Sequence, residues 1–293
     1  MRVNATRWWA GALAGVVLAA GLAACGAPAA AKVAGQGGTG TPGATDPSGH
    51  ATTTTSTTST TSTTSTTTTT TLPRLTGTIS VLEIGDSLGE DLGFGLSYEL
   101  ANDRTVHFFG DAVGDTGLAR PDYYDWPAHL ASELAAIHPQ VVVVFLGAND
   151  SQNMTTSSGI VVFGTAAWKA TYAERVAAVM TEATSAGARV IWVGMPVMQD
   201  PTLSSNMAMM DSIYRREAAL HPGVAYLDSW PLFSTPSGQY TATKTGPNGQ
   251  TWLLRDPDGI HLDSAGGDLL AAAVVAKMNA SYGLHLPVLR PPA

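Results

Sequence analysis

From Thr76 onward the chain alternates short, β-rich apolar runs with longer stretches of helical period, and this alternation restricts it to one architecture. The apolar runs are residues 79–84, 105–109, 141–146, 190–193 and 224–227. Between them lie the helical stretches 89–100, 128–137, 166–186 and 207–220, and a last one covers 264–282. The run Val141-Val142-Val143-Val144-Phe145-Leu146 is apolar at every position. A strand covered on both faces needs that pattern, whereas a half-solvated strand alternates. Strand and helix in repeated succession predict an α/β fold, a three-layer, doubly wound, mainly parallel five-stranded sheet with helices on both faces. Ligands of such sheets sit beyond the carboxyl ends of the strands, where strand order reverses. Functional residues are therefore expected directly after strands.

The first quarter of the chain is of a different kind. Arg2 and Arg7 precede a 17-residue apolar stretch, residues 8–24. That is short for a membrane span of about 20 residues and suits an export signal. Cys25 is the only cysteine and stands directly after Leu22-Ala23-Ala24. This block resembles a bacterial lipobox, which implies cleavage before Cys25 and lipid attachment to its sulfur. A single cysteine excludes an internal disulfide. Residues 25–75 are rich in Ala, Gly and Pro and then almost purely Thr and Ser from 52 to 71. With almost no large apolar side chains to bury, they are expected to form a disordered tether. About 50 such residues span roughly 40 Å as a coil and at most about 170 Å extended. The expected organisation is a signal peptide (1–24), the tether (25–75), a globular domain (76–286) and a Pro-rich tail (287–293). Lipid anchored at Cys25, the domain would work at the outer face of the cytoplasmic membrane and reach cell-envelope material.

From Arg74 onward 22 acidic residues stand against 12 Lys and Arg, since Arg2, Arg7, Lys32 and Asp46 are the only charged side chains ahead of it. An excess of acid argues against nucleic acid or anionic lipid as a ligand of this domain.

Three short blocks follow strands or precede a helix. Gly85-Asp86-Ser87-Leu88 closes the first run, Gly147-Ala148-Asn149-Asp150 closes the third, and Asp258-Gly259-Ile260-His261 leads into the last helix. Together they offer a hydroxyl nucleophile, a carboxylate and an imidazole. A serine hydroxyl attacks poorly at neutral pH unless a base takes its proton. His261 suits that role, because an imidazole titrates near working pH. Asp258, three residues earlier on one tight turn, can accept the other ring N–H. Asp256 competes for the orienting role, although the three-residue step favours Asp258. A calcium loop over 256–263 lacks the required carboxylate spacing and terminal glutamate.

In this order and spacing the blocks resemble the SGNH (GDSL-type) hydrolases, over the whole of the globular part. The resemblance implies Ser87, His261 and Asp258 as catalytic triad. It implies an oxyanion hole made by the Ser87 backbone N–H, the Asn149 side-chain amide and a glycine N–H after the second strand. Gly117 is favoured for that glycine, since Thr116-Gly117-Leu118 with Arg120-Pro121-Asp122 and Trp126 resembles an envelope-associated branch of the family; Gly114 remains open. No metal or organic cofactor is implied.

Asp86 is expected to brace its turn through backbone N–H groups. Gln152 either meets substrate or ties its loop. Trp168, Tyr172 and Arg175, at i, i+4 and i+7, would share one helix face. That face is either packing or a contact surface for substrate. The expected activity is hydrolysis of short acyl esters, O-acetyl above all, on an envelope polysaccharide or another small ester, through an acyl-enzyme. The alternatives are an O-acyltransferase using the same triad and a non-catalytic glycan-binding module.

Overall fold

The computed structural model describes residues 74–101 and 103–288, so the signal, Cys25 and nearly all of the tether lie outside the described residues, as does most of the tail. The chain runs β1 (Ile79–Gly85), α1 (Ser87–Leu100), β2 (Val106–Ala112), α2 (Trp126–Ile137), β3 (Val141–Phe145), β4 (Met154–Thr156), β5 (Gly159–Val161), α3 (Ala166–Ser185), β6 (Arg189–Val193), α4 (Pro201–Leu220), β7 (Val224–Leu227), β8 (Thr243–Thr245), β9 (Thr251–Leu253) and α5 (Ser264–Tyr282). Five strands form one sheet in the order β2-β1-β3-β6-β7, every neighbouring pair parallel. Helices α1 and α5 pack together, while α2, α3 and α4 pack in succession. The expected doubly wound fold is the observed one.

Strand order reverses at β1: the chain passes from β1 to β2 on one side, then returns to lay β3 on the other. The crevice beyond the carboxyl ends of β1 and β3 is thus the place where this fold accepts a ligand. Ser87 follows β1 and Asn149 follows β3.

Most helix starts follow from their caps. Asp86, Asp125, Thr165 and Asp200 each accept a backbone N–H of the first turn, which satisfies a donor the helix cannot. Helix α4 begins at Pro201, six residues before the expected 207, because its first turn is polar and the apolar spacing starts only at Met207. Two hairpins, β4-β5 and β8-β9, were not expected; strands of three residues carry too little periodicity to be read.

Glycines let α1 lie unusually close to its neighbours. A Cβ on Gly95 would stand 2.5 Å from the Gly267 carbonyl oxygen, and one on Gly267 would stand 2.7 Å from that of Asp91. The helix carrying the serine is thereby pressed against the helix that follows His261. On its sheet side α1 presents Gly89 and Gly93 to Glu83 of β1. A Cβ on Gly89 would be 2.8 Å from Glu83 Oε1, and one on Gly93 would be 3.2 Å from Oε2. The Glu83 carboxyl fills that slot fully buried, and neither oxygen has a hydrogen-bond partner.

Burial pushes the Glu83 carboxyl well above its usual range, and the Asp111 and Asp86 charges push the same way. Burial likewise raises Asp86 and Asp211 from 3.8 to about 7. In each case the folded chain keeps a proton that the unfolded chain releases. Their contribution to stability is therefore full at the acidic end and shrinks as pH climbs above the ordinary carboxylate range, for Asp86 and Asp211 between about 4 and about 7. Thermal unfolding followed from about pH 4.5 to about pH 7.5 is expected to give a falling Tm. Glu83→Gln, with no proton to lose, should make the fall shallower. An equal slope in that variant would remove Glu83 as a cause.

Candidate active site

Asp86 organises the start of the site. Its Oδ1 accepts the Leu88 N–H at 3.0 Å, and its Oδ2 accepts the N–H groups of Gly147 and Ala148, both at 2.9 Å. One buried carboxylate thus caps α1 and joins the ends of β1 and β3. Burial drives its pKa up while these three donors, which favour the anion, hold it down. Ser87 is the first residue of α1, so its backbone N–H is one of the free donors at a helix start.

Asp258-Gly259-Ile260-His261 forms a closed turn around one carboxylate. Oδ1 of Asp258 accepts the backbone N–H groups of Ile260 at 2.8 Å and His261 at 3.0 Å, and Oδ2 lies 2.6 Å from His261 Nδ1. His261 Nε2 lies 2.9 Å from Ser87 Oγ. The turn is held by glycine: Gly259 has φ +73°, and a Cβ there would meet the Gln199 side chain at 2.3 Å. Asp256 is bonded to the turn through its backbone, accepting from Gly259 and donating to His261, while its charge also favours the imidazolium. Of the two candidates for the orienting carboxylate, it is Asp258 whose carboxylate stands on His261 Nδ1.

The electrostatics fit that geometry. Partial burial opposes the Asp258 anion, but the His261 hydrogen bond and two backbone N–H groups outweigh it and lower its pKa to about 2. An ionised Asp258 can only accept, so Nδ1 of His261 carries the proton and Nε2 faces the serine as acceptor. Partial burial pushes the His261 imidazole down, but the Asp258 hydrogen bond and charge push harder, and the net shift is upward from 6.5. The arrangement can draw the proton from Ser87 Oγ and hold it as an imidazolium.

Two side chains absent from the sequence reading hold the turn. Arg255 is 1% exposed and meets no carboxylate among the described residues. Its guanidinium donates instead to the carbonyls of Val197 (2.8 Å), Ile260 (2.6 Å), Gly259 (3.2 Å) and His261 (3.3 Å), with the rings of Phe233 and Tyr240 beside it. Asp91, one turn beyond Ser87 on α1, accepts the Leu262 N–H at 2.9 Å and so ties the residue after His261 to the serine's helix.

On the opposite flank the Asn149 side-chain amide donates to the Thr116 carbonyl at 2.9 Å, which sets it beside Gly117. The second N–H of that amide has no partner among the described residues, and neither has the Gly117 backbone N–H. The Gly114 N–H is already given to Glu90 Oε1 at 3.1 Å. Gly117 is therefore the glycine free to serve, and only glycine fits there, since a Cβ would lie 2.2 Å from Asp150 Oδ1. Asp150 is buried and accepts from Leu118, Ala119 and the Tyr172 hydroxyl, which pins the 116–119 loop to the end of β3. Gln152 donates to the Asn149 carbonyl at 2.6 Å and lines, with Gly117, Asn149 and Tyr123, a cavity of about 200 Å³.

Trp168 and Tyr172 do not face a substrate. Both are fully buried and stack at 4.6 Å. The Trp168 ring N–H donates to the Gln152 carbonyl at 2.8 Å, and the Tyr172 hydroxyl lies between Asp150 and Tyr214. Arg175 donates to the Leu118 carbonyl at 2.7 Å. The shared helix face is real, but it supports the loops of the site from behind.

One trio among the described residues brings metal-type donors together: Asp111, His129 and Glu133, within 4.8 Å of one another. There His129 Nε2 is hydrogen-bonded to Asp111 Oδ2 at 2.5 Å.

A family model described as a protein of unknown function, DUF459, matches residues 80–277. No curated protein matches the sequence. Among solved structures, LAE5, an alpha/beta hydrolase enzyme from the metagenome of Lake Arreo, is 16% identical with a TM-score of 0.52, the match covering 70% of this chain and 97% of that one. An acetylxylan esterase from Geobacillus stearothermophilus is 12% identical with a TM-score of 0.51, covering 74% of this chain and 100% of the other. At such identities the likeness is one of fold.

Proposed function

The chain belongs to the DUF459 family and has a doubly wound α/β fold like that of the hydrolases above, and from that premise we propose that it is a serine ester hydrolase of the SGNH type. One observation carries the reading: His261 stands between Ser87 Oγ at 2.9 Å and an ionised Asp258 at 2.6 Å. Ser87 attacks the ester carbonyl while His261 takes its proton. The N–H groups of Ser87 and Gly117 and the free N–H of Asn149 receive the oxyanion. His261 then returns the proton to the departing alcohol. Water, activated by the same imidazole, releases the acid from Ser87.

The substrate class proposed is a short acyl ester, such as O-acetyl, on a cell-envelope glycan. The modest cavity of about 200 Å³ beside Asn149 supports a small acyl group. The lipobox-like Cys25 and the Thr-rich tether support an envelope location, with the domain held to the membrane by lipid.

The test is covalent trapping. A p-nitrophenyl alkylphosphonate is expected to stop hydrolysis of p-nitrophenyl acetate and to add one phosphonyl group to the peptide containing Ser87. Hydrolysis that persists, or a label on another residue, would overturn the assignment.

A further inference from the structure

A second cleft, about 650 Å³ in volume, adjoins the triad turn. Its lining includes Met198, Gln199, Ser205, Trp230, Gln239 and Tyr240. Gln199 forms the junction with the turn: its N–H donates to the Gly259 carbonyl at 3.1 Å, and its side chain occupies the space that a Cβ on Gly259 would need. Arg255 does not line the cleft but lies buried behind it, donating to the carbonyls of the turn, meeting Met198 Sδ at 3.3 Å and lying against the Tyr240 ring. The cleft is more than three times the volume of the 200 Å³ cavity beside Asn149.

Building on the ester-hydrolase reading, we propose that this cleft binds the neutral glycan that carries the ester. No charged side chain lines it. An anionic polymer would find no cation there, and the net charge of −8 would repel it. The lining combines ring faces, which take the C–H face of a sugar, with amides and hydroxyls, which pair with sugar hydroxyls. The Trp230 indole N–H donates to the Gly238 carbonyl at 3.0 Å, which fixes the ring in the cleft wall. An acyl chain would require enclosed apolar walls. Here Gln199, Ser205 and Gln239 are exposed along the rim.

The full-length chain is assayed on p-nitrophenyl acetate, p-nitrophenyl octanoate and chemically O-acetylated oligosaccharides of the xylo, gluco, manno and galacto series. Wild type is expected to show a higher kcat/KM on at least one oligosaccharide than on p-nitrophenyl acetate. In Trp230→Ala, and in Ala208→Trp, which fills the cleft from α4, the ratio of the two should fall at least tenfold. An unchanged ratio in both variants would overturn the proposal. So would wild type that prefers none of the sugars, or a selective loss on the octanoate, which would make the cleft an acyl-chain site. If wild type cleaves no ester, the hydrolase reading fails separately. Calorimetric binding of the deacetylated oligosaccharides to Ser87→Ala then decides: binding abolished by Trp230→Ala supports the cleft, and no binding overturns it.

Discussion

Ser87→Ala and His261→Ala are each expected to lower kcat for p-nitrophenyl acetate by about 10⁴-fold or more, and the double variant is expected to lose little beyond that. The two side chains act as one unit, because a hydroxyl without its base is a weak nucleophile and a base without the hydroxyl has nothing to activate. Asp258→Asn should cost somewhat less, about 10²- to 10⁴-fold. An amide at this position leaves Ser87 and His261 in place but no longer favours the tautomer with its proton on Nδ1, and it cannot stabilise the imidazolium. The pH profile carries the sign. Asp258 raises the His261 pKa above 6.5, so kcat/KM should climb with pH through that raised value as the imidazole becomes neutral and able to accept. In Asp258→Asn the acidic limb should move to lower pH. Ser87→Ala retaining a tenth of wild-type turnover would end the mechanism.

The juxtaposition of Ser87, His261 and Asp258 and the place of the Asn149 block were legible in the sequence because each is local. Ser87 and Asn149 stand directly after strands, and Asp258 and His261 are three residues apart on one turn, so type and spacing determine most of the geometry. The face of α3 was half legible. A spacing of i, i+4 and i+7 places Trp168, Tyr172 and Arg175 together but does not say whether solvent or protein lies opposite. The answer depends on Asp150 and Tyr214, which are distant in sequence from that helix. The choice between Gly114 and Gly117 needed the Glu90 carboxylate, which occupies one of the two N–H groups. Glu83 passes in sequence as one polar residue in an apolar strand; its burial follows from the glycines of α1. The signal, Cys25 and the Thr/Ser tract rest on sequence alone, since they lie outside the described residues.

Arg255 was the least legible residue of the site, because its partners are carbonyl oxygens and every residue has one. A buried cation without a carboxylate costs several kcal/mol in desolvation, and hydrogen bonds to charged groups return about 1.5–3 kcal/mol each. With four such bonds the two sides are comparable, so net stability is a weak reason for an arginine here. Geometry is a stronger one. Three of the four carbonyls belong to Gly259, Ile260 and His261, the residues that carry the imidazole towards Ser87. Arg255→Lys keeps the charge but loses the planar fork that reaches several acceptors at once. A displacement of about 1 Å at a reacting group can cost about 10²-fold in rate. Arg255→Lys is accordingly expected to lower kcat for p-nitrophenyl acetate by about 10²-fold with KM near wild type. A looser turn also weakens the bond between Asp258 and His261, so the acidic limb of the pH profile should slide down towards the ordinary imidazole value of about 6.5. That shift separates positioning from stability, since a variant that merely unfolds more would lose active protein and leave the limb in place. Full turnover in Arg255→Lys, or a loss without movement of the limb, would show that the turn holds His261 without the guanidinium.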